Sequence, residues 1–322
     1  NRFGAYLAGR FAVSEMDPQA AATYFGNALK FDPGNAALLE RLLLSEVALG
    51  NIDAAADHAQ KLVTIAPKVK LPFLIIGVRA LRDQGYARAR NAFQKVSGNP
   101  AASIAADVGT AYAAYAEGDL RQAKQALMRL TNEAGTRAFA LYHQAVIEDL
   151  SGKSEEAQGH YEEANRLSDG ESLRILQGYG NFLRREGQAD KARALYQGFL
   201  AKAPTNPVIQ REARELAGGK IPARTISDAR QGVAETLYGI ASSNNDERAV
   251  ELPIFYLQLA LALNPQHELA MSLLADRLEA AKKYAEANTI YERVPPTSPI
   301  FAATRQQEAQ NLQKMEKPEE AL

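Results

Sequence analysis

Gly152-Lys153-Ser154-Glu155-Glu156-Ala157, followed by Tyr161 and Ala164, decides the fold, because this order of turn glycine, polar residues, small residue and aromatic recurs along the chain. Upstream it stands as Asp17-Pro18-Gln19-Ala20-Ala21 with Phe25 and Ala28, as Gly50-Asn51-Ile52-Asp53-Ala54-Ala55, as Gly85-Tyr86-Ala87-Arg88-Ala89 with Phe93, and as Gly118-Asp119-Leu120-Arg121-Gln122-Ala123. Downstream it returns as Gly187-Gln188-Ala189-Asp190-Lys191-Ala192 with Tyr196, as Lys283-Tyr284-Ala285-Glu286-Ala287 with Tyr291, and begins again at Glu319-Glu320-Ala321. The anchoring alanines fall at 21, 55, 89, 123, 157, 192, 287 and 321, so the spacing is 34 residues four times, then 35, 95 and 34. A fixed period of this size marks an array of stacked supersecondary units.

Each copy reads as two helices. Small residues on the first helix (Gly9, Gly77, Gly180) and at the start of the second (Ala21, Ala89, Ala192) let two backbones approach. The aromatic four positions after the alanine lies one turn further along the same face and fills the space between units. Prolines at 33, 67, 100, 204, 265 and 299 fall where the second helix ends, since proline cannot continue a helix. The spacing, small positions, aromatics and prolines together resemble the tetratricopeptide repeat family over nearly the whole chain. The resemblance implies an all-α, right-handed α-solenoid of helix-turn-helix pairs with one interrupted region, and a role in protein binding.

The interruption lies between Ala192 and Ala287. A short helix from Asn206 to Leu216 and a loop over 217–224 are expected there. A helix pair from Ser227 to Ser242 and from Asp246 to Leu263 follows, read as one degenerate repeat, and stacking is expected to change direction. The chain thus divides into a regular array of about six repeats over 1–204, an insert over 205–226, and a degenerate repeat, a regular repeat and the start of another over 227–322. Both ends read as cut.

Composition removes several function classes. The 322 residues include no Cys, which excludes a disulfide scaffold, a thiolate nucleophile and cysteine-ligated zinc. Lack of Cys fits an oxidising compartment and also fits many cytosolic proteins. Thirty-seven basic residues against 38 acidic ones, for a net charge of -1, argue against a nucleic-acid partner. No run is long and apolar enough to cross a bilayer. His58, His143, His160 and His267 are scattered without metal-ligand spacing, so no metal or cofactor is expected. Gly152-Lys153-Ser154 lacks the glycine five residues earlier that a phosphate loop needs, Ile147 standing there instead. No catalytic residue is assigned, and the chain reads as a non-enzyme.

In stacked helix pairs the first helices line the concave face. Projecting the period places Tyr6, Leu44, Leu74, Val78, Tyr112, Tyr115, Phe139 and Tyr142 there, then Arg174, Gln177, Asn181, Arg184 and Arg185, then Tyr238 from the later pair. The groove is therefore expected to be aromatic and aliphatic over five repeats and basic at the sixth. It reads either as a channel for a peptide or protein partner or, in a tight superhelix, as core. The lysine and asparagine clamp of chaperone-binding family members is missing at the matching positions. The stretch from Ile226 to Gly239, with 257–264 and 271–275, resembles long bacterial tetratricopeptide proteins of the cell envelope. That resemblance implies a periplasmic or outer-membrane-associated adaptor, a lipid-anchored parent, and an envelope protease or cell-wall hydrolases as partners. The alternative is the regulatory arm of an enzyme such as a glycosyltransferase or protease with its catalytic domain elsewhere. Self-association through open terminal helix faces is a third expectation.

Overall fold

The computed structural model describes residues 2–243 and 249–316, and every regular element among them is a helix. Six pairs run in order: α1 (Arg2–Ser14) and α2 (Pro18–Leu29), α3 (Ala36–Ala48) and α4 (Ile52–Ile65), α5 (Pro72–Arg82) and α6 (Tyr86–Phe93), α7 (Pro100–Ala116) and α8 (Leu120–Asn132), α9 (Ala134–Leu150) and α10 (Ser154–Leu167), α11 (Leu173–Arg185) and α12 (Ala189–Lys202). Then come α13 (Pro207–Ala217), α14 (Ala229–Ser242), α15 (Glu251–Leu263), α16 (Glu268–Ala280), α17 (Tyr284–Tyr291) and α18 (Phe301–Lys314). The start of a further repeat at 319–321 and the expected helix start at Asp246 lie outside the described residues.

The repeat motif has a backbone cause. In seven units the residue five positions before the anchoring alanine is left-handed: Met16, Gly50, Gln84, Gly118, Gly152, Gly187 and Lys282, with φ between 54° and 84° for each. That conformation ends the first helix and turns the chain into the second. Glycine takes it without a Cβ clash, which is why four of the seven are glycine. In the third unit Gln84 holds the position, and the neighbouring Gly85 has an ordinary φ of -81°. Proline or an asparagine or aspartate cap starts many of the helices. The Asp17 carboxylate, for example, accepts from Ala20 N at 2.9 Å and Asn99 Oδ1 accepts from Ala102 N at 3.0 Å.

Packing follows the anchors. Ala21, Ala55, Ala89, Ala157, Ala192 and Ala287 are fully buried. Each of the three aromatics Phe25, Phe93 and Tyr196 lies directly over the glycine of its own first helix. A Cβ added at Gly9 would stand 2.6 Å from Phe25, at Gly77 2.5 Å from Phe93, and at Gly180 2.4 Å from Tyr196. The other edge of Phe93 faces Gly109 of the next unit, where an added Cβ would lie 2.9 Å away. Glycine at these sites lets one ring be clamped between two helices, and apolar burial of such rings contributes most to holding neighbouring units together.

The pair α14–α15 departs from stacking. It does not continue the array beyond α13 but returns to the concave face, where α14 packs on α7 and α5 and α15 packs on α3 and α5. Gln258 on α15 donates to the main-chain oxygen of Ala48 at 2.9 Å, linking positions 210 residues apart in sequence. The main hydrophobic core therefore runs from Leu43 through the hairpin to Ile300, with smaller clusters at either end of the array.

Candidate functional site: a groove filled by its own chain

The hairpin has the composition of a core element. Helix α15 is apolar all round apart from Glu251 and Gln258, a pattern that fits burial on every side. Helix α14 presents Gly232 to the Tyr112 ring so closely that a Cβ there would fall 2.2 Å from Cε1 and Cζ. Beside this contact His143 is fully buried between Tyr112 (2.9 Å to Nδ1) and Thr236 (3.3 Å to Nε2). Thr236 Oγ1 donates to the Gly232 carbonyl at 3.0 Å, which leaves it to accept from Nε2–H, so Nδ1 accepts from the Tyr112 hydroxyl. The rings of Tyr112, Phe139 and Tyr142 stand edge-on to the imidazole. Burial lowers the His143 pKa to about 4.

The concave positions named from sequence are thus occupied largely by the protein itself. Leu74, Val78 and Tyr112 have no exposed surface and Tyr142 is 2% exposed. Tyr115, Phe139 and Tyr238 are half-buried against the same core. The reason is the hairpin, an insertion that periodicity alone does not place.

The basic end is likewise paired internally. Arg174 holds Glu235 of α14 through two bonds, Nε to Oε1 at 2.7 Å and Nη2 to Oε2 at 2.6 Å, and His267 lies 3.1 Å from the same carboxylate. Burial pushes the Glu235 carboxyl up, but Arg174 and His267 outweigh it and hold the group well below the ordinary range. Arg174 also donates to Gln177, which donates to Glu212 of α13 at 2.8 Å. Arg184 meets Glu212 at 2.6 Å and the Lys220 carbonyl at 2.7 Å, and Asn181 donates to Thr225 at 3.2 Å. Arg185 pairs with Asp149, which also receives Arg224 of the loop at 3.1 Å. These contacts strap the insert across the sixth repeat.

Periodicity does not single out the acidic partners in this network, Asp149, Glu212 and Glu235, and it leaves His267 as one scattered histidine. A signal exists for one of them: Glu235 is a carboxylate within the otherwise apolar face of Val233, Ala234 and Leu237. A lone charge in such a place needs a counter-charge.

The hairpin leaves two chambers open, each of about 430 Å³. One is polar and is lined by the Arg174–Glu235 network together with α13, the 220–226 loop and the start of α16. The other is apolar, between α2–α3 and α15–α17, with Val13, Met16, Ala48, Leu71, Phe255 and Leu278 in its walls. At its edge Leu44 is 40% and Leu252 46% exposed. Tyr6 is half-buried, with Arg10 over its ring at 6.0 Å.

Comparison with known proteins agrees with the anchors. The tetratricopeptide repeat family profile matches residues 6–69 and 150–207. Over those two segments the chain is similar to tetratricopeptide repeats. Its helix pairs form an all-helical solenoid. A tetratricopeptide repeat protein from Parabacteroides merdae ATCC 43184 is similar at 10% identity and a TM-score of 0.41, over 95% of this chain and 98% of that one. The P58(IPK) TPR domain is similar at 14% identity and 0.32, over 98% of each chain. The structure of Naa15/Naa10 bound to HypK-THB is similar at 13% identity and 0.41 over 98% of this chain, which spans 56% of that one. No curated protein sequence matches the chain. Among the described residues no helix is long and apolar enough to cross a membrane.

Proposed function

We propose that this repeat protein is a non-enzymatic adaptor that binds a protein or peptide partner on the part of its concave face beyond the hairpin, with Tyr6 and Leu44 among the contact residues. The observation that carries this reading is the exposed pair Leu44 and Leu252 at the edge of an apolar chamber, within a groove otherwise closed by its own chain. Exposed apolar surface rimmed by polar groups is characteristic of interaction sites. Leu74, Val78, Tyr112, Phe139 and Tyr142 serve in this reading as the floor that seats the hairpin. Arg174, Gln177, Asn181, Arg184 and Arg185 hold the insert, with Tyr115 and Tyr238 completing the seat. The cell envelope is the proposed location, with an envelope protease or cell-wall hydrolases as partner classes. Lack of Cys and the resemblance of residues 226–239 to envelope proteins support it.

The test is cross-linked affinity purification of the protein from fractionated cells, wild type beside Leu44→Glu. A protein held by wild type and depleted from the variant is the expected result. The same proteins recovered with both would remove the Leu44 surface, and absence of the protein from the envelope fractions would remove the location.

A further inference from the structure

The apolar chamber has a second property beyond its exposed edge. Its charged lining residues are Asp17, Arg41, Glu251 and Lys283. The two acids have structural roles: Asp17 caps α2 through Ala20 N–H, and Glu251 sits in the first turn of α15, where the positive end of the helix dipole favours it. The two bases have no such role. Among the described residues neither Arg41 nor Lys283 makes an ion pair, and the contact found for Arg41 is with the Phe25 ring at 6.0 Å. Two uncommitted cations thus line a chamber whose walls are mainly aliphatic and aromatic, and whose volume lies in the range of small-molecule sites, roughly 300–1,000 Å³.

We propose that this chamber binds a small amphiphilic carboxylate of the long-chain fatty-acid class. The hydrocarbon chain lies against Ala48, Leu71 and Phe255, and the carboxylate meets Arg41 and Lys283. Burial of the chain supplies most of the affinity, and the cations select the charged head over a neutral one. The proposal concerns the chamber whose edge carries the adaptor reading, and it is measured without any partner protein, so the two can fail separately.

Fluorescence titration of the full chain with dansyl-undecanoate, below its micelle concentration, tests it. Palmitate and hexadecanol serve as competitors, with a peptide ending in two leucines as a third arm. Saturable binding displaced by palmitate and only poorly by the alcohol is expected. The double substitution Arg41→Gln/Lys283→Gln should weaken the probe by about tenfold, as loss of two partly exposed charge contacts implies. Leu252→Gln, which removes apolar surface from the edge without adding charge, should also weaken it, with circular dichroism unchanged. Lack of saturable binding overturns the proposal. Equal displacement by the alcohol or stronger displacement by the peptide does so as well, as does probe affinity indifferent to both substitutions in folded protein.

Discussion

Replacing Gly232 by alanine tests whether the hairpin sits in the groove as described. On an isolated helix the change would be favourable by about 1 kcal/mol, because alanine is the better helix former. In this protein the new methyl group would meet Tyr112 Cε1 and Cζ at 2.2 Å, roughly 1.5 Å inside ordinary carbon contact. The ring has no room to yield, since Tyr112 has no exposed surface and its hydroxyl is tied to His143. Overpacking of this kind costs about 1–3 kcal/mol, and a locked ring belongs at the upper end, so a net loss of about 2 kcal/mol is expected. Urea unfolding followed by circular dichroism measures it. Gly159→Ala is the control: it lies within α10 with nothing within 4 Å of an added Cβ, and should stabilise by roughly 0.5–1 kcal/mol. Tyr112→Leu removes the ring atoms that clash, so in the double variant the two costs should fall short of their sum by about 3 kcal/mol, the clash term itself. Strict additivity, or a Gly232→Ala variant as stable as the Gly159→Ala control, would refute docking of α14 on α7.

The buried His143 makes the fold acid-sensitive: its pKa is about 4 in the folded protein against 6.5 in the unfolded chain, so the unfolded state holds the extra proton between those values. Stability is complete above about pH 6.5 and falls by roughly 1.4 kcal/mol per pH unit as pH drops toward 4, with His58 shifted in the same direction. Unfolding midpoints at pH 7 and pH 4.5 check this, and His143→Gln should reduce the slope. Gln84→Gly and Lys282→Gly, at the two left-handed turn positions φ 59° and 60°, should each stabilise by about 0.5–1 kcal/mol in thermal unfolding, whereas Gly85→Ala next to the first should not. Glu235→Gln should cost about 3–5 kcal/mol by leaving Arg174 without its buried counter-charge, and Glu235→Leu combined with Arg174→Met should recover most of it in the same assay.

The repeat units are legible because local chemistry determines them. Ala21, Phe25 and Gly9 each meet a steric demand within one helix pair, and the same demand recurs every 34 residues. The left-handed turn position is only partly legible, since Met16, Gln84 and Lys282 occupy it without the glycine that marks it elsewhere. The site is less legible still. Projection of the period names Tyr112 and Arg174, but the residues that meet them, Gly232 and Glu235, lie 120 and 61 positions further along. No period connects those positions. The clue available in the sequence is compositional: α15 has no polar face to turn toward solvent, unlike the amphipathic second helices of the array.

That composition also sets whether the groove can ever reopen. Val233, Leu237, Ile254, Tyr256, Leu257, Leu259 and Leu263 on the hairpin are all buried, and a buried side chain of this size contributes about 1.5–3 kcal/mol relative to exposure. Their sum exceeds roughly 10 kcal/mol, comparable with the whole stability of an ordinary domain. A peptide competing for the seat of α15 would have to replace that burial and also the Arg174–Glu235 pair, whose charges would otherwise be left uncompensated. Ejection of the hairpin therefore amounts to unfolding, and the hairpin is a fixed wall of the solenoid. The open surface is consequently set by where α14 and α15 end, so on the proposed adaptor reading a partner meets the Leu44–Leu252 edge and the two chambers rather than the floor of the groove.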